Sequence, residues 1–121
     1  MSQVEMQQAA QDCMTCHDVC LQTVQQCQQA GGKHAQESHI QMMQDCAALC
    51  QATAHFLQHS SPVASTVCSA TAQVTARCAI ECEQMGDTDC ANACNNASSS
   101  TGQIAKMVMS AGTAVCGAAA R

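Results

Sequence analysis

The chain has 121 residues, with 12 Cys, 8 Met, 5 His, one Phe and no Tyr or Trp. Four Lys plus Arg against nine Asp plus Glu give a net charge of -5, which excludes a basic nucleic-acid face, and no apolar run approaches the roughly 18 residues of a membrane span. A chain of this length buries roughly two-thirds of its unfolded surface; with one aromatic, the interior falls to Ala, Val, Cys and Met, which predicts one thin-cored domain over residues 1–121.

At the amino terminus, Met1 to Glu5 show no basic n-region, no apolar h-region and no small-residue cleavage site, the pattern of a cytoplasmic protein or of one whose leader has been trimmed. One Pro and six Gly are too few for a loop-dominated disulfide scaffold, so thiols set in helical sequence read as metal ligands. The first stripe is Met6, Ala9, Cys13, Cys16, Cys20, Val24, Cys27, in steps of three and four, and predicts a helix over about 3–30 that Gly31 and Gly32 stop. His39, Met43, Cys46, Cys50, Thr53 and Leu57 predict a second over about 35–59. Ser61 then suits an N-cap and Pro62 the first helical position of a third helix, about 62–85, with the stripe Ala64, Cys68, Thr71, Thr75, Cys78, Cys82, Met85 and a stop at Gly86. Asp87, Thr88 or Asp89 can cap a fourth over about 89–118, whose stripe Cys90, Cys94, Ala97, Thr101, Ile104, Val108 weakens through Gly112 to Cys116. Asn95 to Thr101 has poor helix propensity and is expected to kink or fray. Nowhere does apolar character alternate with period two, so the fold class is all-α: an antiparallel, up-down-up-down four-helix bundle with a Cys-lined core.

With turns near residues 33, 60 and 87 and a rise of about 1.5 Å per residue, the thiols fall into layers. Cys27, Cys78, Cys82, Cys90 and Cys94 gather at the end holding the first and third turns, Cys20 and Cys46 meet midway, and Cys13, Cys16, Cys50 and Cys68 lie above. These eleven face one channel, and Cys116 lies beyond it. Cys16/Cys20, Cys46/Cys50, Cys78/Cys82 and Cys90/Cys94 repeat i,i+4, which sets two sulfurs on one helix face for one soft ion. Any single Cys is equally well a small core hydrophobe, but eleven on an inward stripe are not explained by packing.

Thiolate with nearby thioether favours Cu(I), with Zn(II) and iron–sulfur clusters as competitors. Structural zinc prefers paired knuckles on turns, and Asp and Glu are absent from the stripes, which excludes a carboxylate di-iron bundle. Cys13-Met14-Thr15-Cys16-His17 matches the CxxCH of haem attachment, but both its cysteines belong to the longer stripe, which leaves His17 as a solvated helix residue.

The cysteine spacing resembles that of the four-helix-bundle copper storage proteins, a bacterial Cys-rich family. The likeness rests on Cys13, Cys16, Cys20 and Cys27; on Asp45-Cys46-Ala47-Ala48-Leu49-Cys50; on Ser61-Pro62 before Cys68; and on Cys78-Ala79-Ile80-Glu81-Cys82 with Cys90. It implies several Cu(I) ions held mainly by thiolates, assembly as a homotetramer, copper donor or acceptor proteins as partners, and storage without catalytic turnover. His39, Thr53, Thr71, Thr75, Ala97 and Thr101 stand where the family tends to place further thiols, which points to a lower capacity or an altered role. Met42, Met43, Met85, His34 and His39 cluster at the end of the first and third turns. They are either packing or a relay that admits copper, since thioether and imidazole pass Cu(I) on without holding it tightly. His55, His59, Lys33 and Lys106 read as plain surface groups. The alternatives to copper storage are a thiolate sink for Zn(II) or another soft metal, and a thiol–disulfide redox protein.

Overall fold

The computed structural model describes the backbone of residues 3–119 and the side chains of residues 3–107. Four helices form an antiparallel bundle: α1 (Gln3–Ala30), α2 (Glu37–Gln58), α3 (Ala64–Met85) and α4 (Thr88–Ala119). Each buries the stripe of small and sulfur-bearing residues that its three-four spacing lines up on one face, including Cys13, Cys16 and Cys20 of α1 and Cys46 and Cys50 of α2. Cys116 and Val108 lie outside the described side chains.

The junctions explain where the helices stop. Gly31 and Gly32 take left-handed φ of 73° and 58°, and Gly32–Ala35 coils into a 3₁₀ turn, so α2 opens only at Glu37. At the end of α3, Gly86 is left-handed (φ 80°) and the chain reverses with Gly86 N donating to Glu83 O and Asp87 N donating to Cys82 O at 2.8 Å. That is a Schellman closure, and it leaves Asp87 immediately before α4, its carbonyl accepting from Ala91 N. The same 6→1 and 5→2 pattern ends α2, with Ser61 N on Phe56 O and Ser60 N on Leu57 O, but there a serine holds the left-handed φ of 50°. Pro62 lies in the turn after it, and Ser61 Oγ accepts from Val63 N ahead of the first α3 residue, Ala64. The expected cap at Ser61 therefore shapes the turn, and Pro62 precedes the helix instead of opening it.

Asn95 to Thr101 does not fray; α4 runs through it unbroken. Ser98 Oγ donates to Ala72 O across the interface at 2.9 Å, Thr101 Oγ donates to Ala97 O at 2.6 Å, and Gly102 faces the Ala72 methyl. Small residues let α3 and α4 approach closely, and this packing outweighs a propensity cost of a few tenths of a kcal/mol per residue.

The interior divides lengthwise. Towards the second turn it is closed by Leu57, Ala64 and Ile104 and by the buried hydroxyls of Thr53, Thr71, Thr75 and Thr101. Thr53 and Thr71 meet at 2.7 Å, and Thr75 donates back to Thr71 O. The threonines are interleaved with sulfur on α3, where Cys68 precedes Thr71 and Thr75, and beyond Thr75 the buried α3 positions towards the third turn are Cys78, Ala79 and Cys82.

Candidate metal centre

All eleven thiols from Cys13 to Cys94 are buried and unoxidised. Ten of them form one unbroken path. Cys68 neighbours Cys13, Cys13 neighbours Cys50, and Cys50 adjoins Cys16 and Cys46. The path continues through Cys94, Cys20 and Cys90 to Cys78 and Cys82.

Its middle is tightest, and here the layering expected from heights alone needs correction. Cys16 and Cys94, placed in opposite outer layers by counting, meet at 3.6 Å. Helix crossing and the length of the sulfur arms, about 1.8 Å beyond Cβ, merge what straight rods would separate. Cys16, Cys20 and Cys94 form a triangle with sides of 3.9, 3.8 and 3.6 Å. Cys16, Cys46 and Cys94 form a second, with sides of 3.8, 4.0 and 3.6 Å, sharing the Cys16–Cys94 edge. The centre of either triangle is about 2.2 Å from each sulfur, close to the metal–thiolate bond length of about 2.3 Å. Two four-thiol groups result, Cys16/Cys20/Cys46/Cys94 and Cys20/Cys78/Cys90/Cys94, with Cys20 and Cys94 in both.

Proton affinities divide this pool. Hydrogen bonding from Cys20 holds Cys16 down at about 6, against the ordinary 9.0. Cys46 and Cys90 are lowered in the same way, chiefly by Cys16 and by Cys20 respectively. Their partners Cys20, Cys50, Cys82 and Cys94 are raised, chiefly because each gives its proton to a neighbouring sulfur. Cys68 is pushed up to about 12 by burial and then by the charge of Cys13. Some thiols are thus ready ligands and others must surrender a proton to the arriving ion.

Cys27 stands apart. Its Sγ donates to Asp87 Oδ2 at 3.5 Å, and burial first, then the Asp87 charge, pushes it up to about 11. His39 is buried beside it, Nδ1 at 2.8 Å from Glu81 Oε1 and Nε2 at 3.2 Å from Asp87 Oδ2. Of the other residues expected at this end, Met43 is wholly buried, while Met42, Met85 and His34 are partly exposed. An open polar depression of about 260 Å³ lies here, lined by Thr23, Gln26, Gly86, Asp87, Thr88, Asp89 and Cys90, the last fully buried behind its wall. His17 is not the solvated residue expected: its side chain is only 17% exposed, with Nδ1 3.0 Å from Asp18 Oδ1, and it lies off the inward stripe that holds Cys13 and Cys16.

Sequence reasoning missed Glu81 and Asp87. Neither lies on a core stripe; Asp87 reads as a helix cap, and Glu81 enters only as part of the Cys78-Ala79-Ile80-Glu81-Cys82 motif. The available signal was Gly86: a left-handed residue at that position turns the next side chain back over the end of the bundle.

No curated protein matches the chain. Among solved structures, the Nmul_A1745 protein of Nitrosospira multiformis superimposes with a TM-score of 0.84 at 29% identity, over 88% of this chain and 99% of that one. The family profile described as "Copper storage protein" matches residues 2–108, a span that contains every thiol of the path. The chain belongs to the copper storage protein family.

Proposed function

We propose that this protein stores copper by holding several Cu(I) ions per chain on thiolates inside the bundle, without catalytic turnover. The supporting observation is the path of ten sulfurs, with the two near-equilateral triangles at its middle. Two- and three-coordinate Cu(I) suits sulfurs that are shared between neighbouring sites, and each ion neutralises charge in an interior whose described buried residues include no Lys or Arg. The ligands in this reading are Cys13, Cys16, Cys20, Cys46, Cys50, Cys68, Cys78, Cys82, Cys90 and Cys94, with Cys27 at the edge. Copper arrives at the end of the first and third turns, where Met42, Met43, Met85, His34 and His39 gather and the depression touches Cys90. A cytoplasmic homotetramer served by copper donor and acceptor proteins completes the reading on the strength of the family resemblance.

Anaerobic titration with Cu(I) against a strong chromophoric chelator tests the proposal. Binding of several ions per chain is the expected result, and a stoichiometry of one or fewer defeats storage. The second reading is a Zn(II) sink. It draws on the same five short edges of the Cys16/Cys20/Cys46/Cys94 group, which also suit a tetrahedral ion. Zn(II) that outcompetes Cu(I) for the pool would install that reading.

A further inference from the structure

Four separate stretches of chain meet above the thiol path: the end of α1 with Cys27, the first turn of α2 with His39, the last turn of α3 with Glu81, and the α3–α4 junction with Asp87. The donors here differ in kind from those of the pool. Cys27 Sγ, His39 Nε2 or Nδ1 and an Asp87 oxygen all lie within 4.8 Å of one another.

The hydrogen-bond count at His39 is unbalanced. A neutral imidazole has one N–H and one lone pair, yet both nitrogens of His39 face carboxylate oxygens, which only accept. With Nδ1–H given to Glu81 at 2.8 Å, the Nε2 lone pair points at Asp87 Oδ2 at 3.2 Å. A buried ring in that position needs a cation between Nε2 and the Asp87 carboxylate, either a second proton or a metal ion. The side chain of His39 is only 4% exposed, so water does not relieve the contact.

We propose that Cys27, His39 and Asp87 form a site for a divalent borderline cation of the zinc class, separate from the thiolate pool and lying over its end, with Glu81 orienting His39. The proposal goes beyond copper storage and does not depend on it. Geometry and charge carry it together. Bonds of about 2.3 Å to sulfur and about 2.0 Å to nitrogen and oxygen in a tetrahedron require edges of about 3.5 Å for S···O and about 3.3 Å for N···O. The observed Cys27 Sγ–Asp87 Oδ2 and His39 Nε2–Asp87 Oδ2 separations are 3.5 and 3.2 Å. Thiolate plus carboxylate bring two negative charges, which a divalent ion cancels and Cu(I) leaves half met. One sulfur with one nitrogen and one oxygen is a borderline donor set, whereas Cu(I) finds softer all-sulfur sites a few ångströms away. A carboxylate on the far nitrogen of a ligating histidine is the usual means of fixing its tautomer, and Glu81 is so placed. Asp87 also lines the open depression, from which a water would complete the four ligands.

Cobalt(II), whose d–d and sulfur-to-metal bands report coordination number and thiolate count, is the probe. The reduced full-length chain is titrated anaerobically to saturation beside Asp87→Asn and His39→Ala, each checked for unchanged far-ultraviolet dichroism. The expected result is that each variant takes up one Co(II) fewer than wild type, the difference spectrum being that of a tetrahedral ion with a single thiolate. Glu81→Gln should keep the site and weaken it about 10–100-fold. Equal Co(II) capacity in wild type and in the near-isosteric Asp87→Asn overturns the site, as does a difference spectrum carrying three or four thiolates. Cu(I) uptake measured on the same wild-type preparation separates the two readings: its failure removes storage and leaves this site standing, and a missing Co(II) difference with Cu(I) uptake intact does the reverse.

Discussion

At the scale of single residues, sharing decides importance. Cys94 touches Cys16, Cys20 and Cys46 and belongs to both four-thiol groups, whereas Cys68 sits at the end of the path beside Cys13. Cys94→Ala should therefore cost about two Cu(I) ions of capacity and Cys68→Ala about one, because a bridging sulfur serves more than one ion. Chelator competition on the two variants reads the difference, and equal losses would mean the sulfurs are not shared. The methionines make a different test. Met43 is wholly buried and Met85 partly so, and Leu keeps the volume while removing the sulfur. Met43→Leu with Met85→Leu should slow Cu(I) uptake in stopped flow with capacity almost unchanged; wild-type rates in the double variant would leave both as packing.

Helix ends carry the strain and the aim of the structure. Gly86 and Ser60 occupy equivalent left-handed positions, but only Gly86 does so without a Cβ penalty. Ser60→Gly should stabilise the apoprotein by about 0.5–1 kcal/mol, the relief of a left-handed serine less the added freedom of glycine in the unfolded chain. Thermal unfolding monitored by dichroism should show a rise of roughly 2–4 °C. A fall would show that the serine side chain contributes more to the turn than its backbone costs. The contrast with α4 is instructive: Asn95 to Thr101 looks like a helix breaker in sequence, yet hydroxyls bonded to Ala72 O and Ala97 O and close packing on α3 hold it helical. Propensity is local and weak, and a partner helix overrides it.

For the whole molecule, the sulfur interior makes stability depend on pH in a direction that can be worked out. Above about pH 10 the lowered thiols, with Cys16 at about 6, are ionised in the folded and the unfolded chain alike, so their contribution no longer changes. Cys27 and Cys68 stay protonated in the fold up to about 11 and about 12 while the unfolded chain ionises near 9.0. The folded state then binds more protons than the unfolded one, and stability falls as pH rises from about 10 to about 12. Urea unfolding of the reduced apoprotein at about pH 10 and about pH 11.5 should show the lower midpoint at the higher pH; a flat or rising profile would mean the thiols are better solvated than their burial indicates. Helical stripes in steps of three and four, broken at Gly31, Pro62 and Gly86, were enough to specify four antiparallel helices with sulfur inside, because burial in a bundle follows periodicity. Spacing alone also put eleven thiols on inward faces. What only the tertiary structure decided were the distances across helices: that Cys16 meets Cys94, that Cys27 turns from the pool to Asp87, and that His39 is held between Glu81 and Asp87. Periodicity assigns a residue to a face, but crossing angle, helix register and the reversal at Gly86 determine which atoms come within bonding distance, and no single helix contains that information.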